Sequence, residues 1–310
     1  MLPERSLAPL RAAGFYSTAL FLLLFLSAPL QGAWQLVGAL VNELCLFLGL
    51  ALLFTVYLER RPLRTVFRLR PLSPGGIVKS LMLGAVAWAL AEAMGLLITL
   101  LVQHFGGQIP EPHQALMQAP FLVALVIGAL LPAVAEEAAF RGYLLWGMGP
   151  LGPVTAVLLN GLLFGAMHLT LVRILPLMVL GLIFAAAVQR SGSILPGVIM
   201  HALNNTVTLA LAFYYNPAQS AGGPALASPA GVLELSVAVA ALGVGAWILV
   251  RQFDRSDLAA GVRTTAGEVA AGEEDAGQPL PLRRLLLPLL PAILLYGWVV
   301  VMELRQVFGR

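Results

Sequence analysis

The sequence predicts an all-α, polytopic membrane protein: a transmembrane helical bundle with about eight or nine transmembrane helices. Of its 310 residues, 59% are hydrophobic and only 11% are charged, whereas a soluble domain has about 25% charged residues. The apolar residues are grouped into segments close to the roughly 20 residues that a membrane-spanning helix needs. No charged stretch is long enough to form a large soluble enzyme, so that class is excluded.

The apolar segments predict nine candidate helices, joined mostly by short loops and without an internal repeat. In chain order these helices cover about Phe15–Leu26, Trp34–Leu58, Ile77–Val102, Pro120–Leu145, Val154–Leu171, Ile174–Val188, Ile194–Tyr214, Val232–Val250 and Leu285–Met302. The first segment is short enough for a signal peptide. Because Ala28-Pro29-Leu30-Gln31 is a poor cleavage site, the sequence favours a retained first helix.

The distribution of basic residues predicts the orientation. With a cytoplasmic N-terminus, fifteen of the eighteen Lys and Arg residues fall on the cytoplasmic side and three on the outer side. The net charge of +3 comes from arginines beside membrane segments, so nucleic-acid binding is not indicated. A multi-pass protein of a cell membrane is expected, and seventeen arginines against one lysine suggest a prokaryotic, GC-rich source.

The predicted helices fall into three regions. Residues 1–118 contain N-terminal helices and a basic cytoplasmic loop, and residues 119–216 contain most of the polar groups that lie within membrane segments. Residues 217–310 contain C-terminal helices and a segment at about 252–283 with few large apolar residues. That composition is typical of a disordered linker.

Two adjacent acids and an arginine interrupt the fourth apolar segment. Each ionisable group there costs roughly 2.5–3.5 kcal/mol on insertion scales, so a function is the default hypothesis. Glu137 and Arg141 are four residues apart and share a helix face, which predicts an ion pair. Glu136 points about 100° away, so it is left available for chemistry.

Polar residues on two other predicted helices could complete a reactive site with Glu136. Phe164 and His168 are four residues apart on the fifth segment, and His201 and Asn205 are four apart on the seventh. Facing lipid would leave these groups unpaired, so we expect them to point inward. The fifth and seventh segments are predicted to run in the same direction, but His168 falls late in its segment and His201 early. This implies an offset in depth of about 10 Å.

This set of residue types suits hydrolysis of a peptide bond. Glu136 and His168 could hold and deprotonate a water molecule, while His201 and Asn205 could donate to the oxyanion that forms on a carbonyl. In the alternative, Glu136, His168 and His201 would bind a zinc ion with an open fourth position. Since the zinc-protease signature with two histidines on one helix is absent, a metal-free mechanism is favoured. Zinc is the possible cofactor in the alternative mechanism.

Each polar group also has a structural interpretation. A lone intramembrane His or Asn often joins helices at an average of about 0.6 kcal/mol. Glu137 and Arg141 are interpreted as structural support of the site, and Glu43 and Glu92 as packing or stability groups. The occurrence of all these groups together is what indicates a catalytic site.

Three motifs in this order, Glu136-Glu137-x-x-x-Arg141, Phe164-x-x-x-His168 and His201-x-x-x-Asn205, resemble those of the CAAX protease and bacteriocin-processing (CPBP, or Abi) family. Its eukaryotic branch is the Ras-converting CAAX prenyl protease. The resemblance covers about residues 120–215 and implies an intramembrane endopeptidase. It also implies that Glu136 and His168 activate water, that His201 and Asn205 stabilise the oxyanion, and that Glu137, Arg141 and Phe164 support the site.

The expected partners are therefore the lipid bilayer and a peptide or membrane-anchored protein substrate. Two other functions stay open: a non-catalytic scaffold or immunity factor of the same fold, and a transporter or proton pathway. The last is the weakest, because the paired halves and interrupted helices of many transporters are not visible.

Overall fold

A computed structural model describes residues 7–107, 114–214, 228–260 and 281–308. Within these residues the chain is an all-α polytopic bundle in which eight helices are long and apolar enough to cross a membrane. Nine main helices follow in chain order: α1 Ala8–Ala33, α2 Gln35–Glu59, α3 Pro74–His104, α4 Phe121–Gly147, α5 Pro153–Met167, α6 Leu171–Ser191, α7 Leu195–Tyr214, α8 Pro229–Arg251 and α9 Leu286–Phe308.

Helix α5 differs from the others because it has only 15 residues and ends directly before His168. It lies close against α6 through glycines. A Cβ atom on Gly165 would come within 2.8 Å of the Ile174 carbonyl oxygen, and one on Gly181 within 2.9 Å of the Gly161 Cα atom. Small residues allow such backbone approach between membrane helices. The fifth predicted segment is therefore a short helix within the bundle.

Two large apolar clusters make up most of the core of the described residues, and Ala13 and Leu285 form a small third one. One is formed mainly by α1, α2, α4 and α5, and the other by α3, α6, α7 and α8. Helix α6 contributes to both, with Ala185 and Val188 in the first and Phe184 and Ala187 in the second. The polar groups predicted from the motifs lie where α4, α5, α6 and α7 meet.

Three polar segments meet at one end of the bundle: the loop after α2, the turn between α6 and α7, and the residues after α8. Ser73 N–H donates to the Asp257 carbonyl at 2.8 Å and Ala259 N–H to the Pro71 carbonyl at 3.0 Å. The segment after α8 thus begins with an ordered stretch, where the sequence predicted a disordered linker from residue 252. The prediction for residues 261–280 lies outside the described residues.

Candidate active site

Glu137 is the centre of the polar cluster. Its Oε1 atom accepts a hydrogen bond from Arg141 Nη1 at 2.7 Å and lies 3.0 Å from His201 Nδ1. The side chains of Glu137 and Arg141 are fully buried. The predicted ion pair is present, and it also holds an imidazole from α7. Sequence reasoning missed this third member, because no motif spacing connects residues 137 and 201.

Aromatic rings surround the buried guanidinium of Arg141. Its Cζ atom lies 4.2 Å from the centre of the Phe164 ring and 5.3 Å from that of Phe184. Cation–π contacts of this kind are strongest when the cation is removed from water. Arg141 lies in a widened turn of α4, Ala138–Leu144, whose Phe140 carbonyl accepts a hydrogen bond from Asn160 Nδ2 at 2.7 Å. Asn160 therefore ties α5 to the charged part of α4.

Glu136 points to a different helix from Glu137. Its Oε2 atom lies 4.0 Å from His168 Nε2, and Oε2 has no hydrogen-bond partner within the described part of the chain. His168 Nδ1 lies 2.9 Å from the Phe164 carbonyl oxygen. Because a carbonyl only accepts, Nδ1 carries the hydrogen and the Nε2 lone pair faces Glu136. With Glu136 ionised, two acceptors therefore face each other.

The ring of Phe164 lies between the two histidines. Ring centres are 4.9 Å apart for Phe164 and His168, and 5.9 Å for Phe164 and His201. Phe164 is also buried against Arg141, as described above. The ring therefore packs against both imidazoles and the guanidinium of Arg141.

His201 and Asn205 lie one turn apart on α7, as their spacing predicted. The carboxylate of Glu137 accepts from His201 Nδ1, so Nε2 donates only when the ring carries both protons. The Asn205 Oδ1 atom accepts from Asn204 Nδ2 at 3.0 Å. The Asn205 Nδ2 group remains as a neutral donor beside His201.

The zinc alternative requires three ligands around one point. Among the described residues, no three His, Cys, Asp or Glu side chains form a group that could hold a metal ion. His201 Nδ1 contacts Glu137, while the Nε2 atom of His168 faces Glu136. The donor set as arranged does not fit the predicted Glu136–His168–His201 zinc site.

A second acid outside the motifs lies near Glu136. Glu43, on α2, is 5% exposed, and its Oε2 atom has no partner in the described ranges. The part of α2 that carries Glu43 packs against the part of α4 that carries Glu136. Asn42 Nδ2 donates to Glu43 Oε1 at 3.0 Å. The sequence predicted a packing or stability role for Glu43. The sequence feature that could have indicated a place near the site was the position of this acid within an apolar segment.

The basic end of the bundle reaches the site through Arg68. Arg68 Nη1 donates to the Arg141 carbonyl at 2.8 Å. Burial, with the nearby guanidinium groups of Arg255 and Arg70, lowers the pKa of Arg68 to about 10. The loop after α2 therefore supports the segment of α4 that carries the ion pair.

Comparison with known proteins supports the resemblance found in the motifs. No curated protein and no solved structure matches the chain significantly. One segment of the chain, which contains Glu136, His168 and the Glu137–Arg141–His201 group, does match a family model. Residues 118–207 match the family model described as type II CAAX prenyl endopeptidase Rce1-like, which confirms the resemblance to the CAAX protease family.

Proposed function

We propose that the chain is an intramembrane endopeptidase that hydrolyses a peptide bond of a membrane-associated protein or peptide. The observation that carries the proposal is the pair of acceptors, Glu136 Oε2 and His168 Nε2, 4.0 Å apart. A water molecule that donates both hydrogens over distances of about 2.8 Å spans acceptors roughly 4.4 Å apart. Such a water keeps its lone pairs free for attack on a carbonyl carbon.

In the proposed reaction, the water oxygen bonds to the carbonyl carbon while one of its protons passes to Glu136. The carbonyl oxygen becomes an oxyanion, which accepts hydrogen bonds from Asn205 Nδ2 and from His201 Nε2 in its doubly protonated form. Glu136 then returns the proton to the amide nitrogen as the carbon–nitrogen bond breaks, which releases an amine and a carboxylic acid.

The family match supports this reading of the site, since its description names a CAAX prenyl endopeptidase. We propose the same class of substrate here, a chain end held at the membrane. The geometry of the site also favours a glutamate-dependent mechanism over a metal-dependent one. Residues 119–216 would form the catalytic core, and the other helices would surround it in the lipid bilayer.

The decisive experiment compares Glu136→Gln and His168→Ala with wild-type protein in lipid nanodiscs. Both variants are expected to lose cleavage of a randomised peptide mixture by at least about a thousandfold. Glu234→Gln, an exposed acid on α8, is the matched control and should cleave normally. All variants are checked for monodisperse elution and for helix content. Cleavage at the wild-type rate by either site variant would overturn the mechanism.

The same variants distinguish the hypothesis of an enzyme from that of a non-catalytic scaffold. A scaffold or immunity factor acts by binding, so its cellular effect should survive Glu136→Gln, which preserves shape. An enzyme loses both cleavage and cellular effect. The arrangement of Glu136 opposite His168 favours the enzyme, because neither group has a structural hydrogen-bond partner in that gap.

A further inference from the structure

One face of α7 changes from buried to exposed as it leaves the candidate active site. Successive residues turn by about 100°, so His201, Asn205 and Thr208 lie within one stripe. His201 is 5% exposed, Asn205 is half-buried and Thr208 is exposed. Because side chains that point in the same direction differ in exposure, His201 lies in the interior of the bundle and Thr208, two turns further along, lies at its surface.

Helix α3 lies beside this exposed part of α7. It runs beside α7 in the same direction, and a Cβ atom on Gly84 would lie 3.2 Å from the Cα atom of Met200. Two turns further along, Trp88 Nε1 donates to Thr208 Oγ1 at 3.2 Å, and Thr208 Oγ1 donates to Glu92 Oε1 at 3.2 Å. We call the surface group formed by Trp88, Glu92, Asn205 and Thr208 the α3–α7 cluster.

Glu92 is the unusual member of the α3–α7 cluster. It is an exposed acid within the membrane span Pro74–His104. Within the described residues, Thr208 is its hydrogen-bond partner, and no lysine, arginine or histidine forms an ion pair with it. Intramembrane acids are costly and typically face partners or water-filled pathways for substrates. A packing role does not account for a carboxylate on an exposed face.

We propose that Glu92 is a specificity-determining residue that binds the cationic side chain of a lysine or arginine in the peptide substrate. Opposite charges attract strongly where water is scarce, so a carboxylate at this depth selects a cation over a neutral donor. The inference rests on the proposed endopeptidase function. It adds a substrate feature that the reaction itself does not require.

The distance along α7 gives the position of that cation. Seven residues separate His201 from Thr208, which corresponds to about 10 Å of helix. An extended peptide advances about 3.3 Å per residue. A substrate strand that follows the stripe would therefore bring its side chain to Glu92 about three residues from the bond that is cleaved.

The test uses a randomised mixture of synthetic peptides and wild-type protein in phosphatidylcholine nanodiscs, with cleavage sites read by mass spectrometry. Wild-type protein is expected to enrich Lys and Arg on the order of tenfold about three residues from the cleaved bond. Glu92→Gln should abolish this enrichment, and Glu92→Lys should replace it with enrichment of Asp and Glu. The exposed control Glu234→Gln should keep the wild-type preference.

Binding provides a readout that is independent of turnover. The Glu136→Gln variant should bind a lysine-containing peptide, chosen from the cleaved set, about tenfold more tightly than its glutamine counterpart. Adding Glu92→Gln should remove the difference. Glu92→Gln and Glu92→Lys are both checked for monodisperse elution. If Glu92→Lys misfolds, Glu92→Gln still tests the proposal.

The outcomes separate the two proposals. If wild-type protein shows no basic preference near that position, or if Glu92→Gln leaves it unchanged, the role of Glu92 is wrong. The endopeptidase proposal then stands as long as Glu136→Gln is inactive. Absence of cleavage by wild-type protein would contradict both.

Discussion

His201 Nδ1 lies 3.0 Å from Glu137 Oε1, the same oxygen that accepts a hydrogen bond from Arg141. One buried carboxylate therefore holds two cationic or potentially cationic groups from different positions in the bundle. The second acid of the Glu136–Glu137 pair orients a proposed oxyanion donor in addition to neutralising the arginine. In the proposed mechanism, Glu136 is the base and Glu137 is a positioning residue.

Glu137→Gln should consequently impair both stability and activity. Breaking a buried ion pair by removing one partner costs about 3–5 kcal/mol, since Arg141 would remain buried and charged. Cleavage should fall by roughly a hundredfold, because His201 loses the carboxylate that orients it. Thermal unfolding and peptide cleavage in nanodiscs measure the two effects.

A double variant gives the control for that experiment. In Glu137→Gln/Arg141→Met, the uncompensated charge is gone, so part of the stability should return while cleavage stays low. If cleavage recovers with stability, Glu137 acts only on folding and its role toward His201 is refuted.

Asn205 and Asn204 provide a matched pair on the same helix. Asn205→Ala should reduce kcat by roughly a hundredfold, the usual cost of removing one oxyanion donor, with a smaller change in KM. Asn204→Ala removes the neighbouring amide and should have less than a fivefold effect. Steady-state kinetics distinguish the two variants. Equal losses, or a larger loss for Asn204→Ala, would show that Asn205 is not the specific oxyanion donor.

Gly197 allows α7 to approach Glu137 closely. A Cβ atom on Gly197 would overlap Glu137 Oε2 and would lie 3.1 Å from the Cγ2 atom of Val188. Gly197→Ala should therefore displace Glu137 and lower cleavage at least tenfold.

The control for Gly197 is Gly243→Ala on α8, where a Cβ atom would have no neighbour within 4 Å. That substitution should leave cleavage unchanged and raise stability slightly, since alanine is favoured over glycine in helices by up to about 1 kcal/mol. Similar activity for both alanine variants would show that the close approach at Gly197 is unimportant for the site.

Metal removal tests the choice between the two proposed chemistries. Purified protein treated with a chelator should keep its cleavage rate, and metal analysis should find far less than one zinc per chain. The reason is that the imidazole of His201 contacts Glu137, so three ligands do not converge. Stoichiometric zinc, together with activity lost on chelation and regained on adding zinc, would establish the metal mechanism instead.

The segment after α8 should show an acid-dependent contribution to stability. The hydroxyl group and the backbone N–H of Ser256 donate to Asp254, which lowers the pKa of that carboxyl below its usual range. A carboxyl with a lowered folded-state pKa stabilises the fold above its unfolded pKa, about 3.9, and this stabilisation is lost as the pH falls through the folded value. Asp254→Ala should therefore lower the unfolding temperature at pH 7.

The difference between Asp254→Ala and wild type should shrink when both are measured below pH 3. Glu234→Gln, which removes the same charge from an exposed site on α8, controls for net charge. An unfolding difference that is equal at both pH values would mean that the carboxylate charge of Asp254 contributes nothing at this end of the bundle.

Much of the architecture could be predicted from residue order alone. Membrane helices must satisfy their backbone hydrogen bonds internally, so long apolar segments have one regular structure available. The cost of charge in lipid likewise required Glu136, Glu137 and Arg141 to face inward, and spacing by four predicted the Glu137–Arg141 pair. These conclusions depend on the spacing of residues along a helix and on the surrounding lipid, and both can be inferred from the sequence.

Helix rotation and depth depend instead on packing between distant segments. Which acid meets His201, how Glu43 comes near Glu136, and why Glu92 is exposed follow from how α2, α3 and α7 dock. The short α5 and its glycine contacts with α6 bring His168 to Glu136, and Phe164 contacts both His168 and His201 despite the depth offset predicted between the two histidines. Because side-chain volumes across several helices decide such docking together, only the tertiary structure placed these residues.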